Sequence, residues 1–159
     1  MDSGTKFLTF TSILMLALIL QVVLAVADQR ETPEKAALEF AEAYFWLDPS
    51  MSGRLCAGSA AAVDDYLWRV GQEARSLGYE FDYMKQGIYH ADAHAVLKDD
   101  NTAEVRLTGE RRRTINPVYG QVARWFGLGE THHVQETLTL VREGSSWKVC
   151  GKPFRLMES

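Results

Sequence analysis

The sequence predicts an α+β protein in which an N-terminal transmembrane helix precedes two to three helices packed on an antiparallel sheet of about four strands. Three observations support this fold class. No charged residue occurs between Lys6 and Asp28. Apolar residues recur at helical spacing between Thr32 and Gly78, and from Met84 onward they alternate with polar residues, as in strands. Helices followed by a run of strands indicate that the helices cover one face of an antiparallel sheet.

Length and charge narrow the classes of protein that are possible. The chain has 159 residues, and 17 Lys and Arg against 21 Asp and Glu give a net charge of −4. This length allows one domain, and the chain lacks the basic excess that binding to phosphate backbones requires, so no nucleic-acid partner is expected. Residues 28–84 carry 5 basic and 11 acidic side chains, whereas residues 85–159 carry 11 basic and 9 acidic ones. The sheet half is therefore the more basic half.

The uncharged stretch at residues 7–27 predicts a transmembrane anchor, preceded by a short tail at residues 1–6 and followed by one domain at residues 28–159. As a helix rising 1.5 Å per residue, the stretch would be about 31 Å long, close to the thickness of the hydrocarbon core. A cleavable signal peptide is the alternative, because Ala25-Val26-Ala27 before Asp28 fits a cleavage site. The stretch exceeds the roughly 7–15 apolar residues usual in signal peptides, which favours an uncleaved anchor.

Both alternatives place residues 28–159 outside the cytoplasm, because Lys6 and the α-amino group lie in a very short N-terminal tail. An anchored chain would be a single-pass membrane protein with a cytoplasmic N-terminus and a periplasmic or extracellular domain, and its first partner would be the lipid bilayer at residues 7–27. A cleaved chain would be secreted.

The two cysteines, Cys56 and Cys150, both lie in the domain expected outside the cytoplasm. An oxidising compartment favours a disulfide between them. Such a bond would close a loop of about 95 residues, which the chain-entropy treatment credits with roughly 4–5 kcal/mol of stabilisation. Two buried thiols are the alternative. Alternation in the last strand places Cys150 on the face opposite Trp147 and Val149, so we expect pairing to need a bend at Gly151.

Two helices are predicted between residues 32 and 78. The first begins at Thr32-Pro33-Glu34, which combines a hydroxyl N-cap, a proline at the first helical position and an acid in the first turn, and it ends before Asp48-Pro49. Its apolar face consists of Ala37, Phe40, Ala41, Tyr44 and Phe45. The second helix begins after Ser59 and ends at Gly78. Its apolar stripe consists of Val63, Tyr66, Leu67, Val70, Ala74 and Leu77.

Four strands are predicted after Met84. The first runs to about Leu97, and the second returns to about Ile115 after a turn at Asp99-Asp100-Asn101. A short helix at residues 116–126 precedes the third strand, which alternates up to Glu143. The fourth strand is Trp147–Cys150.

Helix, helix and long antiparallel strands ending in Glu143-Gly144-Ser145-Ser146-Trp147-Lys148-Val149 resemble the nuclear transport factor 2-like superfamily, also called cystatin-like. Within it, the chain is most similar to small exported bacterial members of unknown function. The resemblance covers Thr32 to Cys150 and implies a cone, in which a bent sheet wraps round the helices and leaves a pocket at the open end. The superfamily contains enzymes, binding modules and scaffolds, so the resemblance indicates a fold rather than a function.

The sharpest candidate for chemistry is the row His90, Asp92 and His94 in the first strand, because spacing of two places all three on one face. Such a row could bind a metal or act in acid/base catalysis. The alternate residues from Ala91 to Leu97 are apolar, however, so the row is expected to face water. No motif here matches the His–Asp pairs of related enzymes residue by residue. No catalytic residue, metal or cofactor is therefore predicted.

Two further polar groups are weaker candidates. His132 and His133 are adjacent in a strand, where neighbouring side chains point to opposite faces, so they cannot easily share one ion. Arg111, Arg112 and Arg113 form the one run of like charge. A solvated strand end is the simplest interpretation of this run, and contact with anionic headgroups or an acidic partner is the alternative.

Aromatic residues are concentrated in the helices and the first strand, where filling of the core accounts for most of them. Trp125, Phe126 and Leu128 differ because they lie beside two glycines in a connecting segment. This segment could close the mouth of the cone, lie on the bilayer interface or dock on another protein, and docking or closure of the mouth is favoured over a core position.

These features lead to three hypotheses about function. The leading one is a membrane-anchored interaction or assembly module, an accessory subunit of a membrane complex, that uses Trp125, Phe126, Leu128 and residues 111–113. The second is a module that binds a small apolar or amphipathic molecule in the pocket of the cone. The third is a secreted hydrolase or dehydratase-like enzyme using His90, Asp92 or His94. Catalysis is the less favoured class, because no complete catalytic constellation is present.

Overall fold

A computed structural model of the chain describes residues 3–28, 31–113 and 131–156. The chain falls into two compact units, Met1–Glu31 and Thr32–Ser159. The second unit contains the sheet and all of the residues discussed below as a candidate site.

The first unit contains helix α1, Ser3–Asp28. Its side chains are described for residues 10–23, and the large apolar ones among them are exposed. Crossing a bilayer takes about 20 consecutive apolar residues, and no helix in the described part of the chain is long and apolar enough to do so. The prediction of a transmembrane helix at residues 7–27 is therefore wrong.

The second unit begins with helix α2, Pro33–Phe45, as predicted. The Thr32 hydroxyl caps its N-terminus by accepting a hydrogen bond from the Lys35 amide at 3.2 Å. One face of the helix is fully buried and consists of Ala36, Ala37, Phe40, Ala41, Tyr44 and Phe45. This face is the predicted apolar face with Ala36 added.

A 3-10 turn at Pro49–Arg54 and the short helix α3, Ala57–Ala60, lead into helix α4, Val63–Ser76. The predicted second helix thus corresponds to α4, which begins at Val63 rather than directly after Ser59. The stripe of α4 is buried at Val63, Tyr66, Val70 and Ala74, whereas Leu77 is 56% exposed. Gly78 has a φ of 77°, which is the left-handed conformation expected of a residue that ends a helix.

Four antiparallel strands follow in the order β1-β2-β3-β4. They are β1, Gln86–Asp99; β2, Thr102–Arg113; β3, His132–Glu143; and β4, Ser146–Cys150. The α+β class and the four-stranded antiparallel sheet are confirmed. The predicted short helix at residues 116–126 lies outside the described residues.

The apolar face of the sheet packs against α2. Its buried residues are Ala93 on β1, Ala103, Val105 and Leu107 on β2, Val134, Leu138 and Leu140 on β3, and Trp147 and Val149 on β4. In β2, strict alternation places Ala103, Val105 and Leu107 on the helix side, because successive side chains of a strand point to opposite faces. The helices and the sheet therefore share one core.

Strand β1 contains a β-bulge at its centre. Tyr89 pairs with Glu110 and Asp92 pairs with Thr108, so two residues of β1, His90 and Ala91, stand opposite one residue of β2. His90 has a φ of 49°. The extra residue reverses the alternation, so side chains of even number face the core before the bulge and side chains of odd number face it afterwards.

Cys56 and Cys150 form a disulfide, with Cα atoms 5.2 Å apart. The predicted pairing is present, and the chain bends at Gly151, which directly follows Cys150 and has a φ of 85°. The residues before each cysteine, Leu55 and Val149, form a parallel β-bridge and are both buried. The next residue on each segment therefore points away from the core, which places the two sulfur atoms together.

Candidate functional site

The first wall of a cleft is formed by one face of α2. Glu39, Glu42, Ala43 and Trp46 lie three, four and seven residues apart along the helix and its C-cap, a spacing that places them on one side. Glu42 and Trp46 are exposed, whereas Glu39 and Ala43 are half-buried. Because Ala43 is small, the neighbouring longer side chains project past it and leave a hollow.

Helix α2 ends in an unusual way beside this wall. Leu47 has a φ of 54°, in the region that normally favours glycine. Its amide donates to the Tyr44 carbonyl at 3.1 Å, and the Asp48 amide donates to the Ala43 carbonyl at 2.9 Å. These are the hydrogen bonds of a Schellman motif. The buried Leu47 side chain offsets the conformational cost, and the reversal of the chain brings Asp48 into the cleft next to Trp46.

The second wall is the beginning of β1, Gln86, Gly87 and Ile88. This wall ends two residues before His90, the first residue of the bulge. Among the described residues, Leu47 and His90 are the non-glycine residues with a positive φ, and each follows the last residue of one wall, Trp46 or Ile88, by no more than two positions. Strained backbone of this kind is concentrated at functional sites in many proteins.

The space between the walls is an open cleft of about 490 Å³, within the range of roughly 300–1,000 Å³ typical of small-molecule sites. It is lined by Glu39, Glu42, Ala43, Trp46, Asp48, Ser50, Gln86, Gly87 and Ile88. Three of these residues carry a carboxylate and none is Lys or Arg. A smaller cavity of about 150 Å³ lies beside the disulfide, between β3 and residues 150–156, and it falls below that range.

The three carboxylates of the cleft differ in their partners. Glu39 forms an ion pair with Arg54. Asp48 accepts a hydrogen bond from the Ser50 amide at 2.8 Å, and this bond, the Ser50 side chain and the positive charge of Lys85 lower the pKa of Asp48 below its usual value. Glu42 forms no ion pair within the described residues, so Glu42 and Asp48 leave the cleft with uncompensated negative charge.

Trp46 supplies the aromatic surface of the cleft, and 46% of it is exposed. The Lys85 ammonium lies 5.8 Å from the centroid of this ring, within the distance at which a cation is attracted to the face of an indole. The same ammonium lies 2.8 Å from a carboxylate oxygen of Asp82. A cation therefore already occupies the vicinity of the ring.

The row predicted in β1 faces solvent. The side chains of His90, Asp92 and His94 are 82%, 66% and 79% exposed. His94 Nε2 lies 3.1 Å from an Asp92 carboxylate oxygen, and His90 Nδ1 lies 3.7 Å from a Glu110 oxygen. Within the described part of the chain, no group of three or more His, Cys, Asp and Glu side chains is arranged to hold a metal ion. The three residues are outside the cleft.

The arginine run does not form one basic surface. Arg111 pairs with Ile88 and lies on the helix side of the sheet, whereas Arg112 lies on the outer side, where it donates to Glu110 at 3.1 Å. Arg113 lies over the ring of Tyr83, 5.0 Å from its centroid. Alternation along β2 therefore separates three charges that are adjacent in the sequence.

His132 and His133 lie at the beginning of β3 and are exposed. They pair with Arg111 and Glu110, respectively, in the register of the sheet. The predicted docking residues Trp125, Phe126 and Leu128 lie outside the described residues.

Comparisons with known proteins do not assign the chain to a family. No protein-family model, no curated protein and no solved structure matches it. The nuclear transport factor 2-like resemblance and its cone therefore stay predictions.

No motif in the sequence marks the cleft. Trp46 is one of the aromatic residues of the helices, for which the sequence favours core positions, and Glu39 and Glu42 are polar residues of an amphipathic helix. The signal that identifies them is the helical spacing of Glu39, Glu42 and Trp46, which places two acids and a large aromatic residue on a face of the helix outside the predicted apolar face.

Proposed function

We propose that the domain is a binding module of an oxidising compartment that takes a small organic cation, an alkylammonium group, into the cleft between α2 and β1. The observation that carries this proposal is the half-exposed ring of Trp46 in an open space of about 490 Å³ that is also lined by the carboxylates of Glu42 and Asp48, neither of which forms a salt bridge within the described residues. Indole is the best aromatic partner for a cation, and the carboxylates supply the matching charge.

The lining of the cleft favours binding over catalysis. It contains no histidine, lysine or cysteine. Ser50 is the one hydroxyl of the lining, and it contacts Asp48. The lowered pKa of Asp48 makes this carboxylate a weak general base near neutral pH, whereas the ionised carboxylates and the Trp46 ring can attract, orient and partly desolvate a cation.

The disulfide between Cys56 and Cys150 supports the choice of compartment, because such bonds persist in secreted, extracellular or periplasmic proteins and are rare in the cytosol. This proposal keeps the expectation that residues 28–159 lie outside the cytoplasm. The accessory-subunit role stays a prediction, as does the enzymatic alternative.

Isothermal titration with choline tests the proposed function. We expect Trp46→Ala to weaken choline binding by roughly 2- to 30-fold, the range of a cation–π contact, and Glu42→Gln to weaken it by up to about fivefold, as for an exposed charge pair. The matched controls are Trp68→Ala, which removes an exposed tryptophan of α4, and Glu73→Gln, which removes an exposed acid of α4. Neither control should change the affinity.

The neutral analogue of choline, 3,3-dimethylbutan-1-ol, separates recognition of charge from recognition of shape. We expect it to bind much more weakly than choline. Equal binding of the two compounds, or choline binding that is unaffected by Trp46→Ala, would overturn the proposal.

A further inference from the structure

Lys85 holds a position next to the cleft that the proposed function does not use. It directly follows the 3-10 turn Phe81–Met84 and directly precedes Gln86, the first residue of the β1 wall. Its ammonium lies 5.8 Å from the Trp46 ring centroid and 2.8 Å from an Asp82 oxygen. The Lys85 side chain is 27% exposed, whereas that of Asp82 is 78% exposed. Lys85 is thus directed toward the ring and is only partly in water.

We propose that the Lys85 ammonium is a tethered competitor for the ring of Trp46, which a bound cation must displace, so that Lys85 sets the affinity of the cleft. The inference rests on the proposed function, because it assigns a competing role at the same ring. Its charge also acts on Asp48, which lines the cleft, since it contributes to the lowered pKa of that carboxyl. One ammonium therefore acts on two of the three groups that would receive a ligand, the Trp46 ring and the Asp48 carboxylate.

The competition lowers the affinity of the cleft for every cation, and the hydration of the ligand determines which cations bind in spite of it. A primary ammonium that replaces Lys85 at the ring exchanges one strongly hydrated ammonium for another and gains little. A quaternary ammonium is weakly hydrated, so bringing it to the ring requires less dehydration, while the displaced Lys85 returns to water and can keep its exposed partner Asp82. The cleft should therefore select quaternary ammonium compounds over primary amines.

Removing the competitor should strengthen binding of every compound that uses the ring. We expect Lys85→Met to raise the affinity for choline by roughly 3- to 30-fold. The affinity for ethanolamine, the primary counterpart of choline, should rise by a similar factor, because the cost of displacing Lys85 is common to both ligands. Lys85→Arg should bind as the wild-type protein does, since a guanidinium also stacks on an indole ring.

The control must separate competition at the ring from simple repulsion between positive charges. Lys98→Met removes the same charge from the far end of β1, where Lys98 pairs with Glu104 at 3.0 Å, and it should leave the affinities unchanged. The uncharged 3,3-dimethylbutan-1-ol provides the second control. It gains affinity in Lys85→Met if Lys85 occupies the ring, and it gains none if Lys85 acts only through charge.

Isothermal titration of the wild type, Lys85→Met, Lys85→Arg and Lys98→Met with the three compounds tests the inference. A parallel rise in affinity for all three compounds in Lys85→Met alone supports it. Choline binding that depends on Trp46 but is the same in Lys85→Met overturns the role of Lys85 and leaves the proposed function intact. Choline binding in none of the variants overturns both.

Discussion

The backbone amide of Cys56 donates a hydrogen bond to the carbonyl oxygen of Val149 at 3.0 Å. This bond belongs to the parallel bridge between Leu55 and Val149, and it aligns two segments that are far apart in the sequence. The disulfide thus closes a loop with a sequence separation of 94 residues at a place where the backbone is already matched. The covalent link and the hydrogen bond hold the segment before α3 against the edge of β4.

Breaking the disulfide should lower the stability of the domain markedly. For a loop of this length the chain-entropy treatment gives about 4–5 kcal/mol in the free energy of unfolding. Urea unfolding with and without a phosphine reductant measures the difference. The double variant Cys56→Ser/Cys150→Ser should have the midpoint of the reduced wild type in both conditions, and an oxidised wild type that matches the double variant would contradict the prediction.

Because His90 has a positive φ, replacing it with glycine should not destabilise the domain. At a φ of 49° a residue with a Cβ is strained by roughly 1–2 kcal/mol, so we expect His90→Gly to leave stability unchanged or to raise it by up to about 1 kcal/mol. His90→Val should lower it by more than 1 kcal/mol, because β-branched residues tolerate this region poorly. His94→Gly is the matched control, since His94 lies on the same face without positive φ, and it should be destabilising. A loss of stability in His90→Gly as large as in His94→Gly would contradict the prediction.

Gly109 lies opposite the bulge, and a larger residue should not fit there. A Cβ at this position would lie 3.2 Å from the Ile88 side chain and 3.3 Å from the Cα atom of Ala91. We expect Gly109→Ala to lower the free energy of unfolding by about 1 kcal/mol or more, the usual cost of overpacking. Gly58→Ala is the control, because nothing lies within 4 Å of its Cβ position and it is in α3. It should stabilise the protein by about 0.5–1 kcal/mol. A neutral Gly109→Ala variant would contradict the close approach.

Tyr66 should make the domain sensitive to alkaline pH. Its ring lies between those of Tyr44 and Phe154, with centroids 5.3 and 4.8 Å away. Burial, followed by interaction with Tyr44, raises the pKa of Tyr66 well above its usual value. The unfolded chain therefore loses this proton first. The stabilisation is complete below about pH 10 and falls above it by up to about 1.4 kcal/mol per pH unit.

Urea unfolding between pH 8 and pH 11.5 tests this dependence. Above pH 10, the free energy of unfolding should fall less steeply in Tyr66→Phe than in the wild type. The difference in slope should be up to about 1.4 kcal/mol per pH unit, the contribution of one proton. Tyr79→Phe removes a hydroxyl from a tyrosine that is 43% exposed, and it should leave the slope as in the wild type. An unchanged slope in Tyr66→Phe would show that the hydroxyl ionises freely in the folded state.

The helices and strands of the second unit could be predicted because their signals are local. Thr32 caps α2 through its own hydroxyl, and Gly78 takes the left-handed conformation that follows α4. Alternation in β2 and β3 sets their buried faces directly. Each of these features depends on a few neighbouring residues, which a single sequence contains.

The bulge in β1 could not be predicted in this way. Alternation gives the solvent-facing row of His90, Asp92 and His94 correctly, but it also places Ile88 on that row. Ile88 instead packs against the core, because the extra residue reverses the alternation before Ala91. A histidine is an unusual choice for the left-handed first position of a bulge, and the glycine that marks the site, Gly109, is on the neighbouring strand.

The cleft could not be predicted because it depends on where α2 ends. Tyr44, Phe45 and Trp46 are three consecutive aromatic residues, and two of them are buried. The third is exposed because the helix stops at Phe45 and the chain reverses at Leu47, a residue type that seldom takes this conformation. The sequence pattern alone therefore favoured a core position for Trp46.

The bulge makes β1 sensitive to a change in its length as well as in its composition. Deleting His90 would restore strict alternation along the strand, and residues 86–88 would then have to turn over. Ile88 would leave the core, and the second wall of the cleft would present its other side. During the divergence of related sequences, position 90 should therefore accept replacement, above all by glycine or asparagine, but seldom tolerate loss. The number of residues between Gln86 and Ala93 is as much a determinant of the cleft as the side chains that line it.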